Sequence, residues 1–263
     1  MRFRREFLAG MGALAAACAA FALNGCGTGT SSASQSLIKS INAYVPPTGL
    51  DGSLTLFANT IYLTGGNIGF GTVANSGGYV SLTSGNYNLT ASGPSTTPIV
   101  LNNQAFNGSN TAYTVLATGQ GGQLGTFAPK IVVMPNYVNG QLVLAAGTAA
   151  VRVVNVSLNS NNVGLFNTSG GVPTAAVAAN FASLGYGYNT GTNVYTAVPT
   201  SSLVNMAVVD VTAPTTPLAL QATTNLNTQS FAAGNAYTLL IFGQPSNTSQ
   251  PVSALWVQDY PAP

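Results

Sequence analysis

Short stretches in which apolar and polar residues alternate recur along the chain, separated by turns rich in glycine and asparagine. Alternation with a period of two is typical of half-buried strands, and regularly spaced strands of this kind indicate a β-sandwich or barrel. The polar residues are mostly Ser, Thr, Asn and Gln, which favour strands and tight turns over helices. We therefore predict an all-β protein. The clearest strand candidates are residues 113–116, 151–156 and 236–242.

One segment has the features of a helix. Residues 173–182 begin with Pro173 and continue with a run of alanines. Proline in the first turn, followed by residues that form helices readily, is a helix-start signal. We therefore predict one helix at this point of an otherwise β-rich chain.

The second half of the chain repeats motifs of the first half in the same order. A strand that contains one cation and then Asn occurs at 38–43 and again at 151–156. Ala-Tyr-Thr followed by two apolar residues occurs at 112–116 and at 236–240. The other repeated pairs are Phe70-Gly71 with Tyr186-Gly187, residues 79–82 with 195–198, and residues 94–101 with 214–220.

This repetition predicts two tandem domains of one type. The repeat is too long for a solenoid unit and close in length to one sandwich domain, which favours two Ig-like antiparallel β-sandwiches. Each half is long enough to bury its own core. The predicted organisation is a signal peptide at 1–25, a flexible tether at 26–36, a first sandwich at 37–134, a linker at 135–148 and a second sandwich at 149–263.

The repeated motifs resemble those of a bacterial family known as domain of unknown function 4397. The resemblance is carried by Val-Arg-Val-Val-Asn at 151–155, Gly-Asn-Tyr-Asn-Leu at 85–89, the Ala-Tyr-Thr strands, and a Phe-Gly or Tyr-Gly pair followed by a tyrosine strand. It implies an exported, often tandem, Ig-like β-sandwich without an established activity. The chain departs from the family at 44–47 and 157–160, where the family usually has a turn rich in Ser, Pro and Asp.

The N-terminal segment has the layout of an export signal. Basic residues come first, an apolar run rich in Ala and Gly follows, and small residues precede a break. Arg4 and Arg5, followed by Phe7 and Leu8, resemble the twin-arginine export motif. An ordinary Sec signal is the alternative. In both cases the segment predicts export and takes no part in the fold.

The signal ends in a sequence that resembles a bacterial lipobox. In a lipobox, signal peptidase cuts before a cysteine that then carries lipid, and here that residue is Cys26. Cys18 lies inside the apolar run and is therefore the weaker candidate, and a cut without lipid or an uncleaved anchor are the alternatives. Buried acyl chains hold a protein at a membrane surface. We expect an exported protein, lipid-anchored at the bacterial cell envelope on its periplasmic or outer surface.

The chain after the signal peptide has almost no charge. Its three cations and three aspartates cancel. A nucleic-acid partner requires several Lys or Arg contacts to phosphates, so we expect none. Cys26 is the one cysteine left after cleavage, which excludes an internal disulfide. The charged residues are Lys39, Asp51, Lys130, Arg152, Asp210 and Asp259.

Histidine is absent from the whole sequence. Its absence excludes a Ser-His-Asp triad, a His-ligated zinc site and the usual general base near neutral pH. Glycoside hydrolysis usually needs two carboxylates facing one sugar, and Asp210, at the end of an apolar strand, is better interpreted as satisfied by nearby amides. An Asp-rich calcium loop is also absent. We therefore expect no catalytic residues, no metal and no cofactor.

Aromatic side chains are the remaining feature with binding potential. Tyr186, Tyr188 and Tyr195 cluster around one predicted hairpin, and Trp256 lies near the end of the second half. Flat rings stack on sugars or anchor protein contacts. Core packing is the favoured interpretation, because tyrosines hold comparable places in the first half.

These observations favour a non-catalytic, lipid-anchored envelope module that binds a polysaccharide or a protein partner, or serves as a structural spacer. A surface of hydroxyl and amide groups suits glycan contact or close packing better than electrostatic recruitment. A subunit of an adhesin or surface assembly, in which exposed sheet edges pair with another chain, is the alternative. An Asp-dependent hydrolase with its site between the two halves is the third class.

We expect Cys26→Ala to release the protein from membranes, because the acyl chains that hold it there are attached to this thiol. Membrane fractionation and incorporation of labelled palmitate measure the effect. Cys18→Ala is the matched control and is expected to leave both anchoring and labelling intact. Unchanged fractionation of the Cys26→Ala protein would contradict lipidation.

Overall fold

The computed structural model describes most of the chain from Ser34 onward. Strands dominate it, with four short 3₁₀ turns among the described residues. The prediction of an all-β protein is confirmed. The described residues are 34–108, 111–137, 142–221, 226–227, 229–245 and 247–260.

The export and lipidation residues lie outside the described part of the chain. They are Arg4, Arg5, Phe7, Leu8 and Cys26. Their predicted roles therefore stay predictions. Among the described residues, none belongs to a helix with the length and hydrophobicity that a membrane span requires.

Two sheets build the first half of the described chain. Its strands are β1 Gln35–Val45, β2 Thr55–Ala58, β3 Ile61–Tyr62, β4 Thr72–Val73, β5 Val80–Thr83, β6 Gly85–Gly93, β7 Thr96–Phe106, β8 Thr111–Gln120 and β9 Lys130–Pro135. The first inner sheet has the order β4-β1-β8-β9, with β5 also paired to β1, and the first outer sheet has the order β3-β2-β6-β7. Because β1 begins at Gln35, the last two residues of the predicted tether belong to a strand.

The second half is built in the same way. Its strands are β10 Thr148–Ser157, β11 Val163–Ser169, β12 Val172–Ala176, β13 Thr196–Pro199, β14 Met206–Asp210, β15 Ala236–Gly243 and β16 Ser253–Tyr260. The second inner sheet has the order β13-β10-β15-β16 and the second outer sheet has the order β12-β11-β14. The three strands predicted most clearly from the sequence are confirmed as parts of β8, β10 and β15.

The helix predicted at 173–182 is wrong. Strand β12 occupies the start of this segment and pairs with β11, and Ala179–Phe181 forms a 3₁₀ turn. Gly170 and Gly171, at φ +58° and +82°, make the tight turn that joins the two strands. Pro173 is tolerated because β12 is an edge strand, where a missing N–H interrupts no ladder. Tertiary pairing has overridden the weak helix propensity of a short segment.

One strand pair in each inner sheet is parallel. β1 runs parallel to β8 and β10 runs parallel to β15, whereas the other named strand pairs are antiparallel. A parallel pair needs a long crossover connection, and here the strands of the outer sheet lie within that connection. The prediction of antiparallel sandwiches did not include these two parallel pairs. They could not be predicted from the sequence pattern, because alternation of apolar and polar residues does not depend on strand direction.

Each half has its own hydrophobic core between its inner and outer sheets. Ile38, Leu89 and Val115 are fully buried in the first core. Val151 and Leu239 hold comparable positions in the second core. The two cores share no residue, so each half is a sandwich with an apolar interior of its own.

A third apolar cluster lies between the two inner sheets. It takes Ile41 and Leu116 from the first inner sheet and Val154, Leu240 and Phe242 from the second. These residues alternate with those that enter the two cores, so the central strands are buried on both faces, and every residue of β10 from position 149 onward is buried. The four sheets therefore stack in the sequence outer, inner, inner, outer, and we call the contact between the two inner sheets the central interface.

A glycine holds the same place near the end of the parallel strand in both sandwiches. Gly119 follows the repeated Ala-Tyr-Thr motif at φ +96°, and Gly243 does so at φ +94°. A Cβ atom at either position would collide with a carbonyl oxygen, that of Ala128 in the first sandwich and that of Pro251 in the second. The repeated closing glycine therefore has a steric reason in each half.

We expect Leu240→Ala to lower the free energy of unfolding by about 2–5 kcal/mol, because it leaves a cavity in the fully buried central interface. Urea denaturation, monitored by tryptophan fluorescence, measures the change. Leu124→Ala is the matched control, since Leu124 is 89% exposed and its truncation is expected to stay within about 0.5 kcal/mol. Equal stability of the two variants would contradict the packed interface.

Candidate functional site

Three charged side chains are buried in the central interface. Lys39 on β1, Arg152 on β10 and Asp259 on β16 have exposed fractions of 3%, 1% and 0%. Alternation along each strand directs these positions away from the sandwich cores. Burial of a charge is costly unless polar groups and opposite charges surround it. The partners of these three groups therefore define the chemistry of the interface.

The guanidinium of Arg152 is surrounded by acceptors. Nε donates to Thr238 Oγ1 at 3.0 Å, Nη1 to the carbonyl oxygen of Pro135 at 2.7 Å, and Nη2 to Asn136 Oδ1 at 3.1 Å. Asp259 Oδ2 lies 3.8 Å from Nη2 and forms an ion pair with it. The charge and the hydrogen-bonding capacity of Arg152 are thus largely satisfied inside the protein.

Two tyrosine rings complete the surroundings of Arg152. The Tyr195 ring centre lies 4.5 Å from Cζ and that of Tyr188 lies 5.7 Å from it, so both make cation–π contacts. The Tyr195 hydroxyl donates to Asp259 Oδ2 at 2.7 Å, and the Thr238 hydroxyl donates to the same oxygen. Burial, together with the nearby carboxylate, holds the pKa of Tyr195 well above its usual value. Tyr195 therefore stays a hydrogen-bond donor.

Lys39 has fewer partners. Its ammonium donates to the carbonyl oxygen of Gln258, and the centre of the Tyr79 ring lies 4.5 Å from Nζ. Burial lowers the pKa of Lys39, and the negative charge of Asp259 opposes part of that shift. Lys39 is therefore a buried cation whose ionised form is disfavoured by its surroundings.

The two cations make the same contact in opposite directions across the central interface. Lys39 of the first sandwich donates to the Gln258 carbonyl of the second. Arg152 of the second sandwich donates to the Pro135 carbonyl of the first. Pro135 and Gln258 hold corresponding places in β9 and β16, as the strand registers show. The interface therefore has an approximate two-fold relation between its halves.

The same relation pairs Asn136 with Asp259. Asn136 Oδ1 accepts from the Thr114 hydroxyl at 3.0 Å, and Asp259 Oδ2 accepts from the corresponding Thr238 hydroxyl. The two positions differ in charge, because an amide stands in the first sandwich where the second has a carboxylate. The central interface thus holds two cations and one buried anion among the described residues.

A cavity opens beside each cation. The one beside Arg152 has a volume of about 290 Å³, and the one beside Lys39 has a volume of about 400 Å³. Both are lined in part by residues of the central interface. The cavity beside Arg152 is also lined by the turn before β13, which pairs with β10, and the cavity beside Lys39 by the turn before β5, which pairs with β1. The lining includes Asn136, Tyr137, Arg152, Tyr188 and Tyr195 in the first case, and Lys39, Val73, Ser76, Tyr79 and Gln258 in the second.

The aromatic residues singled out from the sequence are all half-buried. Tyr188 and Tyr195 come together in the lining of the Arg152 cavity, and Tyr186 packs in the apolar cluster of the central interface. Trp256 lines the Lys39 cavity, and its Nε1 donates to the Leu226 carbonyl at 3.1 Å. Contact with a ligand stays a prediction for these residues.

The buried cations were missed as site residues by the sequence analysis. Their signal was present, because Lys39 and Arg152 occupy the same place in the repeated strand motif. A cation inside an otherwise apolar strand is rarely buried without a partner. Asp259 carried no comparable signal, since its partners Arg152 and Tyr195 are distant in sequence.

The two aspartates outside the interface are satisfied within turns. Asp51 accepts from the backbone N–H and the hydroxyl of Ser53, both at 2.8 Å. Asp210 accepts from the Thr212 hydroxyl at 2.6 Å and from Asn161 Nδ2 at 2.9 Å. These hydrogen bonds lower the pKa of each carboxyl group, so both stay ionised.

The fold and the site define a class of all-β proteins in which two sandwiches bury cations at their shared interface. Residues 51–166 match the family model described as Domain of unknown function (DUF4397), which supports that domain family for this part of the chain. The matched segment begins after β1 and ends within β11, so it crosses from the first sandwich into the second. None of the curated proteins matches the chain.

We expect the free energy of unfolding to rise as the pH is raised from about 7 toward the ordinary lysine pKa of 10.5. The folded-state pKa of Lys39 is below that of the unfolded chain, so the unfolded chain binds more protons in this range and higher pH favours the folded state. Urea denaturation at several pH values measures the slope. Lys39→Met is expected to reduce it and to stabilise the protein near pH 7.

The pH dependence of stability is compared with and without Lys39→Met in proteins that also carry Lys130→Met. This removes the contribution of Lys130, whose pKa is also lowered by burial. Lys39→Arg serves as the matched control, since arginine stays charged throughout and keeps the cost of burial at every pH. Raised tyrosine pKa values act in the opposite direction near pH 10 and cancel between variants. An unchanged slope in Lys39→Met would show that Lys39 is not the titrating group.

Proposed function

We propose that this protein is a non-catalytic cell-envelope module, exported and lipid-anchored through Cys26, that binds a polysaccharide or a protein partner. The distribution of charge carries the proposal. Half of the charged side chains in the described chain are buried in the central interface, and Asp51, Lys130 and Asp210 are those that reach the surface. The exposed polar groups are therefore mostly hydroxyls and amides, which suit hydrogen bonding to sugar hydroxyls.

The non-catalytic part of the proposal is supported by the state of the aspartates. Asp51 and Asp210 lie in different sandwiches, and their lowered pKa values oppose the role of a general acid, which requires a raised pKa. Asp259 is fully buried and accepts hydrogen bonds from Thr238 and Tyr195. These arrangements suit structural carboxylates.

We also propose that the two sandwiches arose by duplication and represent tandem copies of one domain. The inner sheets share strand order and directions, including the parallel pair. The reciprocal contacts of Lys39 and Arg152 follow the repeated motif in the sequence. Among the described residues, the second outer sheet has fewer strands than the first, and an isolated bridge from Val209 to Pro217 stands where the first has strand β7.

A role as a subunit of an adhesin or surface assembly is the second candidate, and one surface feature favours it. Tyr62, Phe57, Thr90 and Val100 stand opposite one another on the four strands of the first outer sheet. Tyr62 is 59% exposed and Val100 is 52% exposed, and the Tyr62 and Phe57 rings lie 4.7 Å apart. We call this set the outer row. An exposed apolar row of this kind is a common protein contact.

We expect the full chain, held in mild detergent, to be retained on an array of bacterial polysaccharides with little dependence on salt, because its surface offers few charges to screen. Array fluorescence at low and at physiological ionic strength measures retention. Retention on nucleic acid but not on glycans would contradict the proposal.

The Tyr62→Ser variant distinguishes a role in an adhesin or surface assembly from polysaccharide binding. If the protein assembles through the outer row, this variant loses cross-linked partners in envelope extracts, whereas Leu124→Ser, also at an exposed apolar residue, keeps them. Glycan retention with no effect of Tyr62→Ser on partners would favour the polysaccharide-binding function.

A further inference from the structure

Among the described residues, the central interface contains one more buried cation than buried carboxylates. Lys39 and Arg152 are both buried there, and Asp259 is the one anion among the described residues of the interface. Asp259 forms its ion pair with Arg152, and its negative charge acts on Lys39 as well without an ion-pair contact. In the first sandwich the corresponding position is the neutral Asn136. The approximate two-fold relation is thus broken at the residue that would neutralise Lys39.

The ammonium of Lys39 has donor capacity to spare. An ammonium carries three N–H donors. One is directed to the Gln258 carbonyl, and the Tyr79 ring covers another side of the group. Lys39 is also among the residues that line the larger cavity. Arg152 differs, because its guanidinium is engaged by three hydrogen-bond acceptors and by the Asp259 carboxylate.

The wall of this cavity has the chemistry of a sugar site. Ser76 supplies a hydroxyl, Gln258 an amide, and Gly77 and Gly78 an accessible backbone, while no aspartate is among the lining residues. One residue of the lining segment is held in a costly conformation, since Ser76 has φ +54°. Left-handed non-glycine residues are uncommon and concentrate at functional sites.

We propose that the cavity beside Lys39 binds a uronic-acid residue of a glycan, with the sugar carboxylate paired to the Lys39 ammonium. This inference rests on the proposed polysaccharide-binding function and names its substrate class. A sugar acid carries one carboxylate and several hydroxyls, which corresponds to one cation among neutral donors and acceptors. The cavity volume of about 400 Å³ lies within the range typical of small-ligand sites.

Carboxylate binding would correct the charge imbalance of the interface. With the ligand in place, two buried cations face two anions, and the ionised form of Lys39 is stabilised. A neutral sugar would leave the ammonium unpaired in the same cavity. The site is therefore expected to discriminate strongly between a uronic acid and its neutral parent sugar, since unpaired buried charges are costly.

Isothermal titration of the full chain with galacturonate, galactose and acetate tests the proposal. We expect galacturonate to bind, galactose to bind at least about tenfold more weakly, and acetate to bind more weakly than galacturonate because it lacks the hydroxyls. Lys39→Met is expected to weaken galacturonate binding by about tenfold or more. Binding of acetate as tight as that of galacturonate would overturn the assignment to a sugar acid.

Lys130→Met is the matched control, because Lys130 also contacts a tyrosine ring, that of Tyr186 at 4.9 Å, but lines neither cavity. It is expected to bind galacturonate as the unaltered chain does. A second measurement follows the Lys39 side chain by NMR of its labelled Cε, whose titration should move to higher pH when galacturonate binds. Full binding by the Lys39→Met protein would refute the site.

The failure of this site is distinguishable from the failure of the proposed function. Retention of neutral polysaccharides on the array, without any response to galacturonate, would refute the uronic-acid site and leave polysaccharide binding intact. Galacturonate binding that depends on Lys39, without retention of any polysaccharide, would support the site and overturn the broader function.

Discussion

Packing of the two inner sheets against each other is the constraint on which the rest of the structure depends. It buries both faces of β1 and β10, so that neither strand has a solvated side. Strands that are buried on both faces normally have nearly continuous apolar sequences. Here the runs are interrupted by Lys39 and Arg152, and the protein must satisfy these charges inside the interface. Apolar contact and charge pairing are thus linked in one layer.

The cost of this arrangement explains the form of the polar network. The Arg152 guanidinium draws acceptors from both sandwiches, including the Pro135 carbonyl and the Thr238 hydroxyl. Hydrogen bonds of this kind require donors and acceptors at defined positions, whereas apolar contact is non-directional. Because the cations donate across the interface in both directions, each sandwich helps to position the other. The single compact unit formed from Ser34 onward agrees with this interdependence.

The sequence predicted the elements that depend on local pattern. The strands around 151–156 and 236–242 followed from alternation, and the similar build of the two halves followed from the repeat. The failed helix at 173–182 depended on propensity alone, and pairing with β11 decided its conformation. The contact between the inner sheets could not be predicted from the sequence pattern either, because alternation identifies a buried face but not what covers it. Asp259 joined the site through contacts far apart in sequence, which spacing does not report.

The difference between the two halves of the interface matters more for function than their similarity. A fully symmetric pair would give each cation its own carboxylate and leave two structural networks without spare donors. With Asn136 in place of a carboxylate, the first half retains the hydrogen bond to Thr114, and the charge of Asp259 offsets only part of the cost of burying Lys39. Lys39 also lines a cavity of about 400 Å³. An interface that is structural in one half and incomplete in the other is suited to receive an anion.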